Sequence, residues 1–294
     1  MSLIMTAIAK NIKVALLQFY AGANKAENIK KATDFATKAL KQHPDLDLLV
    51  LPECFNSPYA VDQFRKYSES IPDGETTKAL SQFAKEHGVN VIGGSFPELG
   101  DDGNVYNTSL SFDKTGKIVA KHRKVHLFDI DIPGKMTFKE SSSLHSGNKA
   151  TVFDLPGLGR FGLAICYDIR FPELAMIASR SGAGIMCYPG AFNTVTGPRF
   201  WTKFGVARAI DNQAYVILCS PARNPNGGYQ AYGHSMVVDP NGDVVVEAGH
   251  NEQIVYAELD PSVEKDARTA IPLSTQRRFD IYHDVSVDAK KGAL

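Results

Sequence analysis

The sequence predicts a layered α/β fold with mixed sheets, and three observations carry that expectation. Short apolar runs alternate with amphipathic stretches of helical period along nearly the whole chain. Hairpin signatures are interleaved with this alternation, so antiparallel strands must lie beside parallel ones. The chain has 294 residues, 44% hydrophobic and 22% charged, an ordinary globular composition. That length buries about three quarters of the surface of the unfolded chain. No linker or low-complexity segment interrupts it. One domain over residues 1–294 is expected, with a core from about 11 to 270 and a C-terminal arm over 271–294.

Each element has a local reason. Residues 12–19 (IKVALLQF) read as a strand. Asn24 can cap the next helix, with Glu27 at capping-box spacing; Ile29, Ala32, Phe35, Ala36, Ala39 and Leu40 follow on one side. Residues 46–51 are a buried strand ended by Pro52, and a helix over 75–86 stops at Gly88. Residues 90–95 form a strand, and 105–112 and 117–121 flank Asp113-Lys114-Thr115-Gly116, a hairpin turn. Residues 160–166 (RFGLAIC) read as a strand ending on Cys166, and Pro172 opens a helix to about Ser181. After a strand over 185–188, Pro198 opens a longer helix with Phe200, Trp201, Phe204, Ala207 and Ile210 on one side. Residues 215–220 are a strand, and 235–239 and 243–247 flank the turn Pro240-Asn241-Gly242. A strand over 254–259 and a helix over 261–270 come last. The two hairpin-bearing halves hint at internal symmetry. The tail beyond Pro272 is charged and carries Phe279, Ile281 and Tyr282, so it is either loose or packed on a neighbouring subunit.

Charge and composition exclude several classes. Lys and Arg together number 32, as do Asp and Glu, and the basic pairs Arg277-Arg278 and Lys290-Lys291 are the longest basic runs noted. No nucleic-acid partner is expected. No apolar stretch nears the roughly 20 residues that span a bilayer, so no membrane partner is expected either. The opening MSLIMTAIAK lacks a basic start and does not read as a secretory signal. The four cysteines, Cys54, Cys166, Cys187 and Cys219, form no C-x-x-C pair and read as reduced thiols. A cytoplasmic location is favoured, with the mitochondrion as the alternative. His122 and His126 are four apart on a strand and loop, a spacing that converges on a metal mainly on a helix. Gly93-Gly94 and Gly227-Gly228 lack phosphate-loop spacing. No metal and no cofactor are expected.

Three reactive residues stand just past apolar strands, where α/β proteins usually place their ligands: Glu53, Lys124 and Cys166. Singly, each has a plain reading as a loop acid, a solvated lysine and a small core residue. Together they are a base, a cation and a nucleophile, a set suited to acyl transfer. A thiol with an ordinary pKa of about 8.5 is mostly protonated at neutral pH. A nearby ammonium and helix amides are expected to favour its thiolate. Glu53 would take the thiol proton and later return it to the leaving nitrogen. Lys124 and a backbone N–H beside Cys166 would hold the oxyanion.

The stretches LLVLPECFNSPY, KHRKVHLFD and GLAICYDIRFPELA, in that order, resemble the nitrilase, or carbon–nitrogen hydrolase, superfamily. The resemblance implies an αββα four-layer sandwich with two mixed β-sheets, paired through helices into a homodimer. It implies a Glu-Lys-Cys triad of Glu53, Lys124 and Cys166 that hydrolyses amides, nitriles or carbamoyl groups. Within TFKES it places a second glutamate at Glu140, which orients the lysine. KVHLFDIDIPGKMTFKES, YPGAFNTVTGP and ARAIDNQAYVILCSPAR resemble the ω-amidase branch. That branch cleaves the terminal amide of 2-oxoglutaramate or 2-oxosuccinamate, so the expected partner is a small amide with a distal carboxylate. An amidase of deaminated glutathione is the neighbouring alternative, and a scaffold that lost catalysis is the outside one. Tyr59, Tyr167, Arg170, Phe192 and Thr196 are the expected substrate-binding residues. The loop Gly190 to Pro198 and Arg170 or Arg199 are the candidates for gripping the carboxylate, an arginine through its planar fork, although Arg170 can equally pair with Asp168 or Glu173.

Overall fold

A computed structural model describes residues 7–132 and 136–282. The aliphatic run after Asn11 forms β1 (Ile12–Gln18). Asn24 accepts the Glu27 N–H and opens α1 (Lys25–Gln42). Then come β2 (Leu48–Val50), the short α2 (Phe64–Tyr67), and α3 (Glu75–His87), which Gly88 ends at φ 63°. β3 (Asn90–Ile92) and β4 (Phe96–Leu99) precede the hairpin of β5 (Val105–Phe112) and β6 (Ile118–Arg123). A small hairpin, β7 (Asp129–Ile132) and β8 (Met136–Lys139), leads to β9 (Thr151–Leu155) and β10 (Gly159–Leu163). Next are α4 (Pro172–Arg180), β11 (Ile185–Pro189), α5 (Gly197–Asn212) and β12 (Tyr215–Cys219). β13 (Met236–Val238), β14 (Val244–Glu247), β15 (Gln253–Leu259), α6 (Pro261–Ala270) and α7 (Leu273–Gln276) follow.

The strands form two large sheets. One runs β15-β1-β2-β3-β5-β4, with β6 on β5, and the other β14-β13-β12-β11-β10-β9. In the first, parallel β1, β2 and β3 are flanked by antiparallel β15 and β5. In the second, parallel β10, β11 and β12 are flanked by antiparallel β9 and β13. The symmetry hinted at by the sequence is this repeated pattern.

Period-two alternation sorts the side chains into layers. Val14, Leu16, Val50 and Ile92 face Phe161, Ile185, Ile217 and Val237 between the sheets. On the outer face of the first sheet, Leu17, Leu49 and Val91 pack on Ala32, Ala36, Leu80 and Phe83 from α1 and α3. On the other outer face, Met186, Tyr188, Val216 and Leu218 pack on Ala175, Ala178, Trp201 and Ala209 from α4 and α5. The result is the αββα sandwich. Each large aliphatic or aromatic side chain so buried contributes about 1.5–3 kcal/mol.

Four local expectations are corrected. Residues 160–166 do not form one strand: β10 ends at Leu163, and Cys166 opens a 3₁₀ turn, Cys166–Arg170. Residues 90–95 stop pairing after Ile92, because the chain turns at Gly94 (φ 57°), where a Cβ would meet Pro52 O at 2.1 Å. On α5 the buried side is Trp201, Gly205, Arg208, Ala209 and Asn212; Phe200 and Phe204 are half-buried and Ile210 is 48% exposed. The helix is apolar on several sides, and its small and hydrogen-bonded residues fit closest to the sheet. The elements α2, β4, β7, β8 and β9 lie outside the sequence-based elements. In the arm, Arg180 covers the Phe279 ring at 3.4 Å, and Ile281 and Tyr282 are exposed. Residues 1–6 of the opening segment, 133–135, and 283–294 of the arm lie outside the described residues.

Candidate active site

The two sheets present corresponding strand ends to one place. Glu53 stands in the loop after β2 and Cys166 in the turn after β10, each beyond the carboxyl end of a parallel strand. Both loops carry a residue in the left-handed region, Cys54 at φ 50° and Cys166 at φ 48°. Such a backbone costs an L-residue about 1–3 kcal/mol and persists only where its surroundings hold it. Lys124 directly follows β6; its N–H donates to Asn107 O at 2.8 Å, and its carbonyl accepts from Gly147 N at 2.8 Å. Glu140 follows β8 and opens a 3₁₀ turn, Glu140–Ser142.

These loops bring Glu53, Lys124, Glu140 and Cys166 into one buried cluster. Lys124 Nζ donates to Glu53 Oε1 at 3.0 Å and to Glu140 Oε1 at 2.9 Å. Glu53 also accepts from Asn107 Nδ2 at 2.8 Å and from Ala191 N at 2.7 Å. The Cys166 thiol stands beside the Glu53 carboxylate. Glu140 accepts from the Tyr59 hydroxyl at 2.6 Å and from Phe128 N at 2.7 Å. Gly190 lets the cluster close: a Cβ there would meet Cys166 Cα at 3.1 Å and the Trp201 ring at 3.0 Å.

Burial sets the charges. It raises the Glu53 carboxyl above the ordinary glutamate value, and Lys124 offsets only part of the rise. Burial alone would lower Lys124, but Glu140 and Glu53 outweigh it and hold the ammonium well above the ordinary value. Burial also pushes the Cys166 thiol well up, and the Glu53 charge adds to this. The expectation that the surroundings favour the thiolate is therefore corrected. The cysteine is not at the start of α4, and it is almost fully enclosed beside the Glu53 carboxylate. The resting arrangement is a neutral thiol next to a carboxylate.

A second set of residues holds the cysteine turn. Asp168 Oδ2 accepts from Ile165 N at 3.0 Å and lies 3.1 Å from His122 Nε2. Its Oδ1 accepts from His126 N at 2.8 Å and lies 2.8 Å from His126 Nδ1. His122 Nδ1 lies 2.9 Å from Thr151 Oγ1, and the His126 ring stacks on Phe171 at 3.7 Å. The histidines four apart in sequence thus converge on a carboxylate, which ties the turn of Cys166 to residues on both sides of Lys124. Burial would raise Asp168, but hydrogen bonds from His122 and His126 overcome it and hold the carboxyl well below the usual range. A depressed folded-state pKa stabilises above the unfolded value of about 4, and this is lost as pH falls toward the folded value. Asp168→Asn is expected to lower stability by about 2–4 kcal/mol at pH 7, a loss that holds down to about pH 4 and shrinks progressively below it. Unfolding measured from pH 7 into the acid range checks this; a loss that shrinks already above about pH 5 would contradict it.

The expected substrate-binding residues divide. Tyr167, Arg170, Phe192 and Thr196 line a cavity of about 10 Å³ with Cys166, Phe128, Ala191 and Tyr229. Arg170 pairs with neither Asp168 nor Glu173. Its guanidinium lies over Phe200 at 4.7 Å, Phe204 at 5.0 Å, Phe192 at 5.4 Å and Tyr167 at 5.5 Å. Its Nε has no partner among the described residues, and burial lowers its pKa. Thr196 Oγ1 donates to Asn193 Oδ1 at 3.0 Å, so its proton is already committed. Tyr59 packs on Tyr229 at 4.5 Å and spends its hydroxyl on Glu140. Arg199, the alternative carboxylate ligand, is exposed. Sequence reasoning missed Asn107, Phe128 and Tyr229, which lie in strands and loops with no chemical signature, whereas Ala191 belongs to the loop 190–198 that it singled out. Asp168 was visible only as a rival partner for Arg170.

Among the described residues, no His, Cys, Asp and Glu cluster is arranged to hold a metal, and no helix is long and apolar enough to cross a membrane. The profile of the carbon–nitrogen hydrolase family matches residues 13–269. The omega-amidase NIT3 of Saccharomyces cerevisiae is 52% identical over 284 residues, covering 95% of this chain and 97% of that protein. The human (Homo sapiens) omega-amidase NIT2 is 46% identical over 281 residues, covering 96% and 99%. The crystal structure of Saccharomyces cerevisiae Nit3, a member of branch 10 of the nitrilase superfamily, superposes with a TM-score of 0.87 at 50% identity, covering 94% and 99%.

Proposed function

The chain belongs to the carbon–nitrogen hydrolase family, and from that premise we propose that it is an omega-amidase that hydrolyses the terminal amide of a small 2-oxo acid monoamide. The observation that supports this most directly is Arg170: a guanidinium whose Nε has no partner among the described residues, in the wall of the cavity that holds Cys166. A planar fork in an aromatic box suits a carboxylate two or three carbons from the reacting amide. 2-Oxoglutaramate and 2-oxosuccinamate have that shape.

Glu53 takes the thiol proton as Cys166 Sγ bonds to the amide carbon. The carbonyl electron pair moves to oxygen, beside the Lys124 ammonium and a backbone N–H of the cysteine turn. Collapse breaks the C–N bond, Glu53 returns the proton to nitrogen, and ammonia leaves a thioester. Glu53 then deprotonates water, whose oxygen bonds to the acyl carbon. The C–S bond breaks, and the thiolate recovers its proton from Glu53. Glu140 holds the ammonium in place, and Tyr59 and Phe128 N hold Glu140.

Only ionised Glu53 can accept the thiol proton, so kcat/KM is expected to fall on the acid side. The midpoint of that limb should lie above the ordinary glutamate value of about 4.3. A pH profile of kcat/KM checks this, and a limb at or below that value would contradict the role.

Ammonia release from 2-oxoglutaramate, with glutamine, a simple nitrile and deaminated glutathione beside it, tests the proposal. Selective turnover of 2-oxoglutaramate supports it; turnover of deaminated glutathione alone moves the chain to the neighbouring amidase activity. Arg170→Met is expected to raise KM for 2-oxoglutaramate about 30- to 1,000-fold with little change in kcat, the loss of one charge-assisted bidentate contact. Initial rates measure this, and an unchanged KM would remove Arg170 from the carboxylate site. We propose a cytoplasmic homodimer that pairs through α4 and α5, where Ile177 and Ile210 are each 48% exposed; sedimentation measures the pairing.

A further inference from the structure

Two cavities adjoin at the site: one holds Cys166, and Glu53 lines the other. The second, of about 130 Å³, is lined by Glu53, Phe55, Ser57, Tyr59, Ala222 and Tyr229, among others, and reaches Gly228. Its inner wall is buried, whereas Gly228 is exposed, so it runs from the surface to the base. It shares Ala191 and Tyr229 with the cavity around Cys166 and Arg170. These two residues form a joined partition: the Tyr229 hydroxyl donates to Ala191 O at 2.5 Å, and Ala191 N donates to Glu53. The Ser57 hydroxyl is buried, lines the second cavity and has no partner among the described residues. A buried hydroxyl without a partner is costly, and a cavity of this size with polar groups on its wall accommodates water.

The reaction poses a traffic problem. The cavity at Cys166 has only about 10 Å³ to spare. That is about the room of one water, so an acyl group on Sγ directed at Arg170 leaves none for water there, yet water must still reach the thioester carbon and ammonia must leave. We infer that the second cavity is the water inlet of the enzyme, supplying the water that Glu53 activates and draining the ammonia, past Ser57 and Ala222. The inference rests on the amidase reading given above. The step it serves is balanced: water oxygen bonds to the acyl carbon, the C–S bond breaks, and one water proton passes through Glu53 to the sulfur.

Filling the inlet tests it. Ala222→Leu narrows the cavity without touching the cavity that contains Cys166 and Arg170, and Ser57→Ala removes the water-holding hydroxyl with minimal change in volume. Rapid-quench samples with 2-oxoglutaramate are read for ammonia and, by intact mass, for acylated protein. In Ala222→Leu we expect a burst of nearly one ammonia per enzyme, steady turnover about tenfold below wild type, and accumulated thioester. Ser57→Ala should move in the same direction by about threefold, and decides the matter if Ala222→Leu does not fold. Slower turnover without accumulated thioester, or unchanged turnover in folded variants, overturns the inlet while wild-type ammonia release preserves the amidase reading. A wild type that releases no ammonia from any amide overturns that reading and the inlet with it.

Discussion

Cys166→Ala is expected to reduce ammonia release by at least about 10⁴-fold, the scale on which removal of a covalent nucleophile is felt. The substitution removes only the sulfur, and alanine occupies the left-handed backbone at φ 48° at a cost similar to that of cysteine. The turn is held by Asp168, not by the thiol, so stability should change by no more than about 1–2 kcal/mol. Turnover per folded molecule and a thermal melt separate the two effects. Substantial residual turnover would exclude the thioester route.

Lys124→Met should disable both chemistry and fold. The ammonium is completely buried and is shared by Glu53 and Glu140. Removing it leaves two carboxylates facing each other without a cation, at a cost of about 3–5 kcal/mol. In the proposed mechanism it also removes the positive charge beside the developing oxyanion, worth about 10²–10³ in kcat. Lys124→Arg should fail as well, because a forked guanidinium does not fit a site built around a compact ammonium. Kinetics and unfolding midpoints of both variants measure this. Wild-type-like kinetics in either would remove Lys124 from the reaction.

The layered fold was legible because the signals that build it are periodic. The run at 12–19, the Asn24 cap, the Gly88 stop and the turns at 113–116 and 240–242 lie where local chemistry puts them. The turn after β10 was not, because apolarity continues from Phe161 through Ile165 while pairing stops at Leu163. Burial and strand pairing leave the same trace in sequence. The face of α5 was misread for a related reason. Phe200 and Phe204 are drawn toward the Arg170 guanidinium and not into the sheet, a contact between residues about thirty positions apart.

The members of the buried cluster, Glu53, Lys124 and Cys166, were legible by their types and strand-end positions, with Glu140 added by family resemblance. Their charge states were not. The state of the Cys166 thiol depends on its enclosure and on how Glu53, Glu140 and Lys124 are spaced around it, and these are tertiary quantities. The Asp168 tie was hidden for the same reason, since its partners come from β6 and the loop after it.

Trapping the covalent intermediate tests the thioester route at its source. Protein mixed with 2-oxoglutaramate and quenched in acid within one turnover is digested and analysed by mass spectrometry. A 2-oxoglutaryl group is expected on the peptide containing Cys166, formed together with one equivalent of ammonia and absent from Cys166→Ala. Ammonia release with no acyl group on Cys166, or with the group on another residue, would contradict it.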